Sequence, residues 1–67
     1  MNITVNNKPQ EMPEGSTVAD LARQQGVADG KGVAIAMNGA VVRRDVWEST
    51  PLSDGATIVL IKAAYGG

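Results

Sequence analysis

The residues best suited to chemistry in this sequence are the two glycines at its end, Gly66 and Gly67. An α-carboxyl group has an ordinary pKa of about 3.3–3.7, so it is ionised at neutral pH and can attack the α-phosphate of ATP. Because glycine has no Cβ, the pair can pass through a narrow channel. Extended, the four residues from Ala64 reach at most about 13–14 Å. The sequence therefore predicts that Gly67 reacts and that Ala64, Tyr65 and Gly66 thread it into a partner's active site. A frayed terminus without a function is the alternative.

The composition argues against an enzyme that acts alone. The 67 residues include no Cys and no His, which removes thiol nucleophiles, the commonest general base and the commonest metal ligand. A formal charge of −1 gives no reason to expect nucleic acid or an anionic membrane as a partner. The longest apolar runs, 33–37 and 58–61, are too short to cross a bilayer. We therefore expect one cytoplasmic domain over residues 1–67, with a flexible tail at 64–67, no metal site and no bound cofactor.

The elements that must position the tail begin with two short strands. Apolar and polar residues alternate over 1–5, which predicts a strand with one apolar face. Asn6 and Asn7 follow, and asparagine tolerates the left-handed angles of a tight turn. A second strand is expected over 8–12 at an edge of the sheet, because Pro9 has no N–H to donate to a neighbouring strand.

A helix and a third strand come next. Thr17 and Asp20 have the spacing of a capping box at a helix N-terminus, and Gly26 is placed to end the helix with left-handed angles. The apolar run 33–37 predicts a strand that is either covered on both faces or central in a sheet. Asn38-Gly39 is a strong hairpin signal and predicts a short return strand over 40–42.

The last turn and strand complete the predicted fold. Asp54-Gly55 predicts a turn, and the β-branched run 57–61 predicts the strand that leads into the tail. The order strand, strand, helix, strand, short strand, strand predicts an α+β protein of the β-grasp, ubiquitin-like type. We expect a mixed sheet of four to five strands, with the first and last strands side by side at its centre and the helix packed on one face.

Four segments occur in a fixed order within a chain of this length: VAIAMNG at 33–39, VVRRDVW at 41–47, LSDG at 52–55 and the terminal glycine pair. With this set the sequence resembles the ThiS family, the small ubiquitin-like sulfur carriers of thiamine biosynthesis. The resemblance covers the whole chain in length and element order and is densest from Val33 to the end. The sequence departs from the family at three positions. Family members often have Pro in place of Arg43, a second Asp in place of Ala56, and a small or aliphatic residue in place of Tyr65.

The resemblance implies a reaction cycle and a set of partners. An E1-like adenylyltransferase (ThiF type) would use ATP to convert the Gly67 carboxylate to an acyl-adenylate. Sulfur from a cysteine desulfurase relay would displace AMP, and the resulting thiocarboxylate would donate its sulfur to a thiazole synthase (ThiG type). ATP would be used by the partner enzyme, and this protein would be a co-substrate that contributes no catalytic side chain.

Three residues near the middle of the chain are candidate partner contacts. Arg43 and Arg44 are either a solvated pair or a pair that binds acidic groups on the adenylating enzyme. Trp47 follows in a segment expected to contain one helical turn around 45–47. Its ring is expected to cover the open end of the core, with a partner contact as the alternative. Tyr65 either packs beside the last strand or lines the partner's channel.

Other functions fit the same fold. The sulfur carriers of molybdopterin synthesis share the fold and the glycine tail, and protein modifiers joined to lysines use the same terminal chemistry. A third alternative is a β-grasp interaction module whose terminal glycines have no role.

Overall fold

A computed structural model describes residues 1–62, which form a five-stranded sheet, one α-helix and one 3₁₀ helix. The elements in chain order are β1 (Asn2–Val5), β2 (Lys8–Glu11), α1 (Val18–Gln24), β3 (Val33–Met37), β4 (Ala40–Val42), the 3₁₀ helix (Arg44–Ser49) and β5 (Thr57–Lys62). The predicted α+β, β-grasp fold is confirmed, with five strands. Neither helix within residues 1–62 has the length and apolar character needed to span a membrane.

The sheet has the strand order β2-β1-β5-β3-β4, so the last strand of the chain lies at its centre. β5 runs parallel to β1, with Val5 opposite Ile58, and antiparallel to β3, with Ile35 opposite Leu60. β2 lies at one edge, where the missing N–H of Pro9 breaks no ladder on its open side. The predicted adjacency of the first and last strands is confirmed.

Two tight turns connect the hairpins, and both use residues that tolerate positive φ. Asn6 and Asn7 join β1 to β2 with φ of 51° and 68°, and Asn38 and Gly39 join β3 to β4 with φ of 52° and 86°. Positive φ at both central residues is what a type I′ turn requires, and this turn matches the right-handed twist of the paired strands. The sequence signals for both turns are confirmed.

The helix begins and ends where the sequence predicts. The Asp20 N–H donates to Thr17 Oγ1 at 3.2 Å, and the Thr17 N–H donates to Asp20 Oδ2 at 2.9 Å, which completes the capping box. At the other end Gly26 has φ of 77°, its N–H donates to the Arg23 carbonyl, and the Val27 N–H donates to the Ala22 carbonyl. This pair of bonds is a Schellman motif, which glycine favours because it has no Cβ to clash.

The core lies on one side of the sheet, between the strands and α1. Its fully buried members include Ile3, Leu21, Ile35 and Ile58. Ala34 is exposed on the opposite face, so the alternative that β3 is covered on both faces is wrong, and the alternative that it is central in the sheet is confirmed. The continuous apolar run misled here because small alanines can face solvent at little cost.

The segment after β4 is more helical than expected. The single turn predicted around 45–47 is a 3₁₀ helix over Arg44–Ser49. It packs against α1, and Pro51 and Thr17 form an isolated β-bridge beside it. This contact brings the second half of the chain over the N-terminus of the helix and closes the core.

Candidate functional site

Three strands have their C-terminal ends at the same end of the sheet, and the last of them, β5, leads to the tail. β5 is parallel to β1 and antiparallel to β3, and β3 is antiparallel to β4. β1, β4 and β5 therefore point in one direction. We call this end of the sheet, where the three strands finish, the exit edge. It is defined by Asn6 after β1, Arg43 after β4, and Lys62, the last residue of β5. The chain leaves the sheet at the exit edge before it reaches the terminal glycines.

The residues predicted to react and to thread into a partner lie outside the described residues. These are Ala64, Tyr65, Gly66 and Gly67. Covalent geometry still limits their reach, because the five residues after Lys62 span at most about 17–18 Å when fully extended. The position and direction of Lys62 therefore set the region of space that the Gly67 carboxylate can reach.

The two arginines lie beside this exit, with β3 between them and β5. Two strand spacings separate β4 from β5, which is about 9.5 Å. Arg43 is strongly exposed and pairs with Asp45 at 3.1 Å. None of the ion pairs found within residues 1–62 includes Arg44, whose side chain lies against the backbone of Gly30. The partner contacts expected of both arginines stay predictions.

Trp47 belongs to the core. It is only 4% exposed, and its Nε1–H donates to the Val42 carbonyl at 2.9 Å, at the end of β4. The ring thus fixes the 3₁₀ helix to the strand that ends at the exit edge. It also lines a groove of about 440 Å³ together with Ala19, Arg23 and Arg44. Such burial leaves little indole surface for direct contact with a partner, and that contact stays a prediction.

A network of charges connects the two helices next to this groove. The Arg23 guanidinium pairs with Asp20 on its own helix and lies 3.7 Å from Glu48 of the 3₁₀ helix. The hydrogen bond from the Thr17 N–H, followed by the bond from Arg23, lowers the pKa of the Asp20 carboxyl below its ordinary value of 3.8. Within residues 1–62 no three acidic side chains come together to hold a metal ion. Asp20 therefore caps the helix N-terminus, and Arg23 links Asp20 to the 3₁₀ helix.

One residue at the exit edge has a role that sequence reasoning missed. Asn6 was predicted only as a turn residue, yet its side-chain amide bonds to the backbone of β5. Its Nδ2–H donates to the Leu60 carbonyl at 3.0 Å, and its Oδ1 accepts from the Leu60 N–H at 2.9 Å. The two residues are 54 positions apart, so no local pattern could reveal the contact. Only the parallel pairing of β1 with β5 brings them together.

Comparisons with known proteins agree with this architecture. The sequence profile of the ThiS family matches residues 3–67. The crystal structure of the thiamine biosynthesis protein ThiS from Geobacter metallireducens is 32% identical, with a TM-score of 0.82 and coverage of 100% of both chains. An NMR solution structure of a thiamine biosynthesis protein from the same organism is also 32% identical, with a TM-score of 0.81, and the match covers 100% of this chain and 88% of the other. Among curated proteins, none matches this chain. The profile covers nearly the whole sequence, so the chain belongs to the ThiS family, a membership that supports a role as a sulfur carrier in thiamine biosynthesis.

Proposed function

We propose that this ThiS family member carries sulfur on the carbonyl carbon of Gly67. A carboxylate oxygen of Gly67 attacks the α-phosphate of ATP on an E1-like adenylyltransferase of the ThiF type, and pyrophosphate leaves. The terminal sulfur of a persulfide from a cysteine desulfurase relay attacks the acyl carbon and displaces AMP, which gives an acyl disulfide. A second thiol of the relay or of the adenylyltransferase then cleaves the S–S bond, forming a protein disulfide and releasing the thiocarboxylate. The thiocarboxylate donates its sulfur to a thiazole synthase of the ThiG type. The chain contributes the carbonyl group and no catalytic side chain, so it acts as a co-substrate of both enzymes.

The observation that carries this proposal is the extent of the family match, which runs through residue 67 and so includes Gly66-Gly67. The fold supports it as well. β5, the strand before the tail, is central and is paired with β1 on one side and β3 on the other. A strand held on both sides gives the tail a fixed point of departure, and the glycines add a slender end. A folded domain followed by a narrow terminus suits delivery of one carboxylate into an enclosed active site.

The exit edge supplies surfaces that suit recognition by such enzymes. Arg43 and Arg44 follow β4 at the same end of the sheet as Lys62, where they can pair with acidic groups on the adenylyltransferase. In the same proposal Tyr65 contacts the wall of the partner's channel and Trp47 acts through the position of the 3₁₀ helix. The six cationic residues are otherwise spread along the sequence, so this adjacent pair is a local feature.

The direct test changes the terminal carboxylate and nothing else. We would prepare the chain with a C-terminal amide on Gly67 and compare it with the carboxylate form in ATP–pyrophosphate exchange with the cognate adenylyltransferase. The amide keeps every residue and the full reach but cannot be adenylated, so exchange should be abolished while the thermal melt is unchanged. Equal exchange with both forms would overturn the proposal.

Removing Gly67 gives a second variant with the carboxylate retained. The carboxylate then lies on Gly66, up to about 3.3–3.6 Å short of its former position, and a displacement of 1 Å can cost a factor of about 100 in rate. We expect exchange to fall at least about 100-fold, with a change in unfolding free energy of no more than about 0.5 kcal/mol. Full activity of this variant would contradict a carrier role. The intact mass of the protein from its native host should show one oxygen replaced by sulfur.

A further inference from the structure

The side chain of Asn6 extends the sheet beyond the end of β1. The backbone ladder between β1 and β5 includes Val5 opposite Ile58 and closes with the Asn6 N–H donating to the Ile58 carbonyl at 2.9 Å. After that residue the chain turns away toward β2. The Asn6 carboxamide then bonds both to the N–H and to the carbonyl of Leu60. The carboxamide offers an acceptor oxygen and an N–H donor side by side, so it supplies both partners that Leu60 would find in a continuing β1 strand.

The turn explains why asparagine can do this. Asn6 has φ of 51°, in the left-handed region, which asparagine tolerates better than most residues. This conformation directs the chain away from β5 while leaving the side chain beside it. Asn7 has a similar φ of 68°, but none of the hydrogen bonds found in residues 1–62 involves its side chain. The turn itself therefore needs two left-handed residues, and only Asn6 also holds β5.

The consequence concerns the last residues of β5, which precede the tail. On the β3 side they are paired through Lys62, which lies opposite Val33. On the β1 side the only partner of Leu60 among the described residues is the Asn6 side chain. Without it, the end of β5 would be held on one side only, and its terminal residues would open more often.

We propose that Asn6 is a positioning residue for delivery of the C-terminal carboxylate, an inference that rests on the proposed carrier function. The two hydrogen bonds between the Asn6 side chain and Leu60, here called the clamp, keep the end of β5 ordered before a partner binds. When the clamp is absent, part of the binding energy must be used to order the end of β5 again, so binding weakens. The reacting end is held by the partner once bound, so the rate within the complex is unaffected.

Asn6→Gly tests the inference, because glycine keeps the left-handed turn and removes only the side chain. Two matched controls exist. Asn7→Gly makes the same change in the same turn without touching β5. Asn38→Gly removes a clamp from the other end of β5, where Asn38 Oδ1 accepts from the Thr57 N–H at 2.9 Å. A second test variant, Asn6→Asp, keeps the acceptor for the Leu60 N–H and replaces the donor with a carboxylate oxygen.

Two measurements are needed. Hydrogen exchange of the Leu60 amide reports the clamp directly, and one hydrogen bond shifts such an equilibrium by a factor of about 2 to 12. Asn6→Gly removes two such bonds, so we expect exchange to become at least about fourfold faster in that variant and to remain unchanged in Asn7→Gly. In the adenylation assay, KM for the carrier should rise about three- to tenfold in both Asn6 variants, with kcat unchanged. Both controls should keep the wild-type KM.

The outcomes separate this inference from the carrier function. Adenylation of the wild type with a raised KM only in the Asn6 variants supports it. A wild-type KM in Asn6→Gly, despite faster exchange at Leu60, would show that the clamp is structural alone and would overturn the inference. An equal rise in KM in Asn38→Gly would also overturn it, because the effect would then follow from general loosening of β5. If the wild type is not adenylated, the carrier function fails and the inference falls with it.

Discussion

Asp20 connects the helix N-terminus to the pH dependence of folding. Hydrogen bonds from Thr17 and Arg23 favour the ionised carboxylate and lower its pKa in the folded protein. A group with a lowered folded pKa stabilises the fold above its unfolded pKa, and this contribution disappears as the pH falls through the folded value. The loss therefore begins near the ordinary pKa of 3.8 and continues at lower pH.

The isosteric variant Asp20→Asn isolates this contribution. Asparagine keeps an oxygen that can accept from the Thr17 N–H but cannot titrate, so its pH dependence should lack the Asp20 component. We expect the stability gap between wild type and variant, measured by urea unfolding, to be largest near neutral pH and to narrow below about pH 4. A gap that stays constant down to about pH 2 would show that the carboxylate is not preferentially bound in its ionised form.

At the level of single residues, the sequence revealed local roles and concealed remote ones. The capping pair and the left-handed turn residues could be predicted because their partners lie within a few positions. The terminal glycines could be singled out because their chemistry needs no partner within the chain. The clamp formed by Asn6 could not be predicted, since it depends on which strand lies beside β1. The terminal glycines of the site can therefore be predicted from the sequence, whereas the role of Asn6 depends on the strand order of the sheet.

The element that follows β4 shows how a departure from the family fits the backbone. The family often has Pro where this chain has Arg43, and Arg43 has φ of −66°. Proline fixes φ near −65°, and the extended conformation of the preceding strand residue Val42 is the one favoured before proline. Among the backbone hydrogen bonds of residues 1–62, none outside the helices and strands is donated by the Arg43 N–H. This position can accept proline without strain.

Arg43→Pro should therefore stabilise the fold relative to Arg43→Ala. Both variants lose the exposed ion pair with Asp45, so their difference isolates the effect of the ring. A proline that fits the native angles restricts the unfolded chain and contributes about 0.4–1 kcal/mol. Urea unfolding of the two variants measures this difference. If the proline variant is the less stable one by more than about 1 kcal/mol, the N–H or the φ of residue 43 is needed in solution.

At the level of elements, the order and type of every strand and the single helix-covered face could be predicted, but the apolar run of β3 did not reveal that its second face is exposed. β3 and β5 are both continuous apolar runs, a pattern that favours burial on two faces. The structure covers only one face with α1, and Val59 and Ile61 lie on the other. A chain of 67 residues has enough length for one covering layer, so the second face of the sheet stays open.

For the molecule as a whole, this one-sided construction means that residues of one strand differ widely in their contribution to stability. Ile58 and Ile61 are both in β5, and Ile58 is 0% exposed while Ile61 is 60% exposed. Replacing a buried isoleucine by alanine removes packing and leaves a cavity, at a cost of about 2–5 kcal/mol. That is a large share of the total stability of about 5–15 kcal/mol that is usual for a domain.

The pair Ile58→Ala and Ile61→Ala tests this asymmetry with one chemical change in one strand. We expect Ile58→Ala to lose about 2–5 kcal/mol of unfolding free energy and Ile61→Ala no more than about 1 kcal/mol. Urea unfolding at several protein concentrations gives both values. Adenylation per folded molecule should be unchanged in Ile58→Ala, because its side chain faces the core and not the exit edge. Similar losses in the two variants would mean that the open face of the sheet is buried in solution, and a dependence of stability on protein concentration would identify self-association as the cause.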